Sequence, residues 1–155
     1  ENCPIKSIIN TIEEVYSPLA EKKSIHYTCD IDAGLTVRGD SNQIEFIIRN
    51  LLSNAIKFTR PEGSISLKGT AQSDELVMLS VTDTGIGVPA ALRAQLFSFK
   101  VGASTVGTSG EKGTGLGLML SQEFAQLNGG HISITSQEGE GSSFQLYLKN
   151  AAAAA

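Results

Sequence analysis

The chain has 155 residues, 41% of them hydrophobic and 18% charged, the balance of one soluble globular domain with enough apolar material for a sizeable core. A net charge of −4 with no run of Lys or Arg and no basic–aromatic interleaving argues against nucleic acid or an anionic membrane as partner, so any phosphate site has to be local. Two cysteines, Cys3 and Cys29, are too few for a disulfide framework, which fits a reducing compartment, and no apolar run approaches the ~20 residues of a membrane span.

The abrupt opening Glu1-Asn2-Cys3-Pro4 reads as a piece cut from a longer protein, and residues 151–155, all alanine, read as a low-complexity tail outside a domain of residues 1–150. From Pro4 to about Lys23, Ile5, Ile8, Ile9, Ile12, Val15 or Tyr16, and Leu19 recur at helical spacing, with Pro4 suited to the first turn. Ile25, Tyr27, Cys29 and Ile31 then alternate with polar residues as in a half-buried strand, and residues 35–38 form a short extended piece.

Residues 40–58 read as one amphipathic helix, opened by Asp40 with Gln43 three residues on, the form of a capping box. Ile44, Ile47, Ile48, Leu51, Leu52 and Ala55 make its apolar stripe, while Asn50, Asn54 and Lys57 share one polar border of it. Ile56 projects away from the stripe on the helical wheel, which marks it as a candidate docking residue. Residues 64–70 and 76–81, joined by Ser73-Asp74-Glu75, read as a hairpin. Asp83-Thr84-Gly85-Ile86-Gly87 follows directly, then a short helix over residues 90–97 and a Gly/Ser/Thr-rich loop over 98–114. Gly113-Thr114-Gly115-Leu116-Gly117 runs into another helix that stops at Asn128-Gly129-Gly130, and two strands over residues 131–136 and 143–148, joined by the hairpin-type connection Glu138-Gly139-Glu140-Gly141, close the chain. About six extended segments and three long helices, partly segregated, favour an α+β two-layer sandwich: one mixed, mostly antiparallel sheet with helices on one face.

Taken singly, the glycine clusters decide little. Gly113 to Gly117 lacks the G-x-G-x-x-G spacing and the βαβ setting of a dinucleotide site, and no Walker P-loop is present. What the cluster offers is a glycine-rich entry to a helix N-terminus, where free amides favour a phosphate. The order of the groups says more: Asn50-x-x-x-Asn54-x-x-Lys57, Asp83-x-Gly85-x-Gly87, Phe97-x-Phe99, then Gly113-x-Gly115-x-Gly117. This series, over about residues 4–148, resembles the ATP-binding catalytic domain of sensor histidine kinases, with their N, first-glycine, F and second-glycine boxes. The wider superfamily includes gyrase, Hsp90 and MutL.

The resemblance implies the Bergerat-type ATP-binding sandwich, with ATP and Mg²⁺ as ligands. Asn54 would ligate Mg²⁺ through its amide oxygen, a hard donor for a hard cation. Asn50 would support that cluster, and Lys57 would face the phosphates as a point charge. Asp83 would accept from the adenine amino group, with Gly85, Ile86 and Gly87 turning beneath the base. Gly113, Thr114, Gly115, Leu116 and Gly117 would shape the phosphate end and hinge the preceding loop as a lid, with Lys112 or Lys100 as possible phosphate contacts. Phe97 and Phe99 would pack the lid's root.

In hydrolytic members of the superfamily a glutamate four residues before the Mg²⁺-binding asparagine activates water, and here that position is Asn50. This favours transfer to a histidine on a separate dimerisation domain, with a response regulator receiver domain beyond it, over a conformational ATPase or a nucleotide-binding scaffold. The isolated domain would be a monomer of a homodimeric parent, on the cytoplasmic side whether or not that parent is anchored in a membrane. His26 and His131 both fall in strand patterns and read as structural, so the phosphoacceptor is expected outside this chain.

Overall fold

The computed structural model describes residues 1–85, 116–137 and 139–152. In chain order its elements are β1 (Asn2–Pro4), α1 (Ile5–Lys22), β2 (His26–Ile31), β3 (Thr36–Arg38), α2 (Ser41–Phe58), β4 (Ser64–Ala71), β5 (Leu76–Asp83), α3 (Leu116–Leu127), β6 (His131–Gln137) and β7 (Gly141–Asn150). The strands form one seven-stranded sheet in the order β1-β3-β7-β5-β4-β2, and β6 pairs with β7. Among the described strands only β2 and β4 run parallel; the other pairs are antiparallel.

Alternation decides which face of the sheet is covered. Ile65 and Leu67 of β4, Val77, Leu79 and Val81 of β5, and Phe144, Leu146 and Leu148 of β7 are buried in one cluster with the helix residues Ile9, Ile12, Ile44, Ile47, Ile48, Leu51 and Leu52. The residues between them face water. Thr28, Ser66, Thr82, Ser143 and Thr135 stand directly opposite one another across five strands, a row of hydroxyls in which Thr82 and Ser143 bond at 2.9 Å. This is the expected two-layer α+β sandwich, with a sheet strand that sequence patterning did not show: β1 is too short for alternation and exists through its pairing with β3.

Within the helical layer α2 is central. It touches α1 on one flank and α3 on the other, while α1 also contacts β2, and α3 contacts β6 and β7. That arrangement overturns the docking reading of Ile56, which is only 8% exposed and belongs to the core. The wheel treated α2 as a helix with one covered face, whereas α1 covers the flank that carries Ile56. The Lys23 ammonium after α1 donates to the Ile56 and Lys57 carbonyls at 2.8 and 3.1 Å, placing a cation on the last, negative turn of α2. On α1 the inward places go to Ile5, Ile9, Ile12 and Ala20, with Tyr16 packed beside them. Leu19, expected in the core, is 46% exposed and Val15 57%, because α1 is an outer helix and only one side of its stripe meets a neighbour.

The start of α2 differs from a simple capping box. Asp40 accepts from the Asn42 and Gln43 amides at 2.9 and 3.0 Å, as an N-cap should. The reciprocal bond to the Asp40 N–H comes from the Asn128 Oδ1 at 2.8 Å, and Gln43 Oε1 accepts from Asn128 Nδ2 at 2.9 Å.

Candidate functional site

Two groups of residues meet along α2. The first lies toward its middle, where Asn50, Asn54 and Lys57 stand half-buried on one flank. Asn54 Nδ2 donates to Asn50 Oδ1 at 3.3 Å, which leaves the Asn54 amide oxygen without a hydrogen bond among the described residues. Gly117, in the first turn of α3, presses on the same amides: a Cβ there would collide with Nδ2 and Oδ1 of Asn50. Glycine is therefore needed at 117 for α3 to approach α2 this closely. Lys57 holds its ammonium over the Phe58 ring, 4.8 Å from the centroid.

The second group forms where β5 ends. Asp83 is 7% exposed and its Oδ1 accepts from the Gly85 amide at 2.8 Å and the Ser142 amide at 3.2 Å. Both bonds fall on one oxygen, so among the described residues Oδ2 is the acceptor left for a ligand. Burial raises the Asp83 carboxyl above its ordinary value, and the amides of Gly85 and Ser142 pull it back. Gly85 itself abuts the C-terminal end of α2, since a Cβ would collide with the Phe58 carbonyl. Gly141 does the corresponding service on the other side: its φ of +116° suits glycine, and a Cβ would strike the Asp83 carbonyl.

The expected site residues are thus brought together in part. Asn50, Asn54 and Gly117 form one contact group, Lys57 lies on the same flank, and Asp83 and Gly85 sit at the far end of the helix. Leu116 opens α3. Ile86, Gly87, Lys112, Gly113, Thr114 and Gly115 lie outside the described residues, as do Phe97, Phe99, Lys100, the short helix expected over 90–97 and the loop over 98–114. The two histidines are on strands, as expected: His26 is exposed on β2, and His131 stacks on Tyr147 directly across the ladder at 4.7 Å.

Sequence reading missed Gly141 and Ser142. It treated their segment as a hairpin connection, and only the pairing of Asp83 with Ser142, 59 residues apart, shows that this turn completes the environment of the carboxylate. The glycine preceding a strand was the available signal, but nothing local tied it to Asp83.

The described residues form a sheet covered by three helices, with amides on the central helix and a buried carboxylate at a strand end, and comparison with known proteins gives the class. The chain belongs to the histidine kinase-, DNA gyrase B- and HSP90-like ATPase family, whose model matches residues 39–152. Membership implies an ATP site. Among its relatives are the circadian input-output histidine kinase CikA of Synechococcus elongatus, 41% identical over 111 residues, 72% of this chain and 15% of that one. The sensor histidine kinase RcsC of Escherichia coli K12 is 38% identical over 147 residues, 92% of this chain and 15% of that one. The chain thus spans about 15% of the length of these curated relatives. A crystal structure of full-length ShkA in complex with AMPPNP superposes with a TM-score of 0.80 at 30% identity, over 100% of this chain and 32% of that one. The nucleotide-free catalytic domain of the histidine kinase ThkA shares the fold, with a TM-score of 0.82 at 24% identity and 97% of both chains covered. The resemblance to the catalytic domain of sensor histidine kinases is borne out. No helix among the described residues is long and apolar enough to cross a membrane.

Proposed function

We propose that residues 1–150 are the ATP-binding catalytic unit of a sensor histidine kinase. In this reading the unit hands the γ-phosphoryl group of Mg·ATP to an imidazole nitrogen on a separate dimerisation domain, with ADP leaving, and a response regulator receiver domain takes the group next. It works in the cytoplasm, as a monomer on its own and within a homodimeric parent. Mg²⁺, when bound with ATP, neutralises phosphate charge.

The chain's own residues do the positioning. Asp83 Oδ2 is available to an amino group of the base, and the two amides on Oδ1 hold the carboxylate so that it cannot swing away. Asn54 offers an uncommitted amide oxygen of the kind a hard divalent cation takes alongside phosphate oxygens and water. Gly117 removes the side chain that would otherwise push α3 off that amide pair. Lys57 supplies charge on the same flank.

One observation favours transfer over hydrolysis. Asn50 Oδ1, at the position of the hydrolytic relatives' glutamate, is a neutral amide oxygen already accepting from Asn54. It lacks the basicity to take a proton from water.

The chain is expected to bind Mg·ATP and ADP, to remain unlabelled when incubated with γ-labelled ATP, and to transfer the label once a phosphoacceptor domain is supplied. Labelling of His26 or His131 would overturn this reading. So would steady phosphate release by the chain alone that Asn50→Ala abolishes, which is the behaviour of a conformational ATPase.

A further inference from the structure

We infer that Asn128 is a positioning residue for the phosphate end of the site, acting through α3, an inference that rests on the nucleotide reading above. Asn128 directly follows α3, whose end is closed by backbone bonds. Gly129, at φ +78°, donates to the Gln126 carbonyl and Gly130 to the Ala125 carbonyl, the paired bonds of a Schellman motif. One bond of the Asn128 side-chain amide stays in that helix end, and the other two leave it. Its Oδ1 accepts from the Asp40 N–H at 2.8 Å, and its Nδ2 donates to Gln43 Oε1 at 2.9 Å and to the Phe124 carbonyl at 2.7 Å. Both available donors and one acceptor are used, two of the three bonds crossing to the first turn of α2. Gly39 leaves room for the bridge, since a Cβ there would lie 2.5 Å from Asn128 Oδ1.

These bonds fix the register of α3 along α2. The helices run antiparallel: Asn128 meets Asp40 and Gln43, Phe124 meets Phe46 edge-to-face at 5.2 Å, and Gly117 meets Asn50. A helix is stiff over the eleven residues from Gly117 to Asn128, about 16 Å. A shift at the Asn128 end therefore reappears at Gly117, where there is no side chain to absorb it and where the Asn50 amide is in contact. Gln122 prevents the alternative of a sideways drift, because its amide pairs with both backbone groups of Ile132 on β6, at 3.0 and 2.8 Å. Asp83, held by β5 and β7, lies outside this chain of contacts.

That separation makes the test selective. Calorimetric titrations would compare Mg·ATP with ADP in EDTA, the second reporting mainly on the Asp83 end, alongside thermal melts that confirm folding. Asn128→Ala is expected to raise the Mg·ATP Kd about tenfold, the size usual for a residue that orients a ligating group, and to change the ADP value by less than about twofold. Gly117→Ala should show the same selectivity and combine non-additively with Asn128→Ala. Gln43→Leu breaks one bond of the bridge and should move affinity in the same direction by less; it carries the test if Asn128→Ala does not fold. Equal weakening of both ligands, unchanged Mg·ATP binding, or additive effects of Gly117→Ala and Asn128→Ala would overturn the inference. Wild-type protein that binds no nucleotide would overturn the nucleotide reading, and this inference with it.

Discussion

At the Asp83 end of α2 the backbone does the holding: a strand terminus carries the carboxylate, two main-chain amides fix one of its oxygens, and Gly85 and Gly141 let neighbouring chain close around it. At the Asn50 end the same task falls to side chains, a pair of half-buried amides on one helix and the bare backbone of another. The first end is as rigid as the β5–β7 ladder beneath it. The second depends on how two helices sit against each other, and helix positions shift at less cost than ladder registers. On the proposed function, selectivity for the base is thus built into the sheet, while the phosphate end is where a small displacement can alter chemistry without unfolding anything.

The sharpest way to break the contrast is Asp83→Asn. The new Oδ1 can still accept from Gly85 and Ser142, but an NH₂ donor replaces the oxygen proposed to accept from the base amino group. ATP affinity should fall about 100-fold, near 3 kcal/mol, by calorimetry, with the fold intact. The same variant tests the carboxyl's electrostatics. Burial raises the Asp83 pKa above its ordinary 3.8, so the folded chain binds more protons there than the unfolded one. The stabilisation from this group is complete below the ordinary value and is lost as pH rises through the folded value. Denaturant titrations should therefore show wild type losing stability relative to Asp83→Asn across that interval and running parallel to it above.

A smaller effect belongs to the phosphate end. Asn54→Ala should weaken Mg·ATP about tenfold and leave ADP in EDTA unchanged; a loss shared by both ligands would mean that the two ends are not separable. The smallest concerns the helix that joins them. Lys23→Met removes the cation from the last turn of α2 and should cost about 1 kcal/mol in urea unfolding, with nucleotide affinities unaltered.

Much of this was legible in the sequence because it is periodic or local. The α2 stripe, the polar flank of Asn50, Asn54 and Lys57, and the β4–β5 and β6–β7 hairpins follow from patterning alone. What escaped is non-local. Ile56 was misread because a helical wheel has no neighbours on it, and α1 covers that flank. Leu19 was placed inward on spacing that α1 shares with fully packed helices, yet among the described residues α1 packs on one helix, α2. Ser142 and Asn128 act on partners 59 and 88 residues away, and no short window contains both members of such a pair.

The position of β7 in the sheet sets the order in which this protein can come into being. It is the last strand in the sequence, yet β5 lies along one of its edges and β6 and β3 along the other. Before it arrives, β1 and β3 are a detached pair, β6 has no partner, and β2, β4 and β5 form a three-stranded fragment with an open edge. Its register joins Arg38 to Lys149 and Asp83 to Ser142, so most of the loop-closure cost falls on this one step. The amide of Ser142 reaches Asp83 in the same event. The closing of the sheet and the completion of the Asp83 environment thus depend on the same strand.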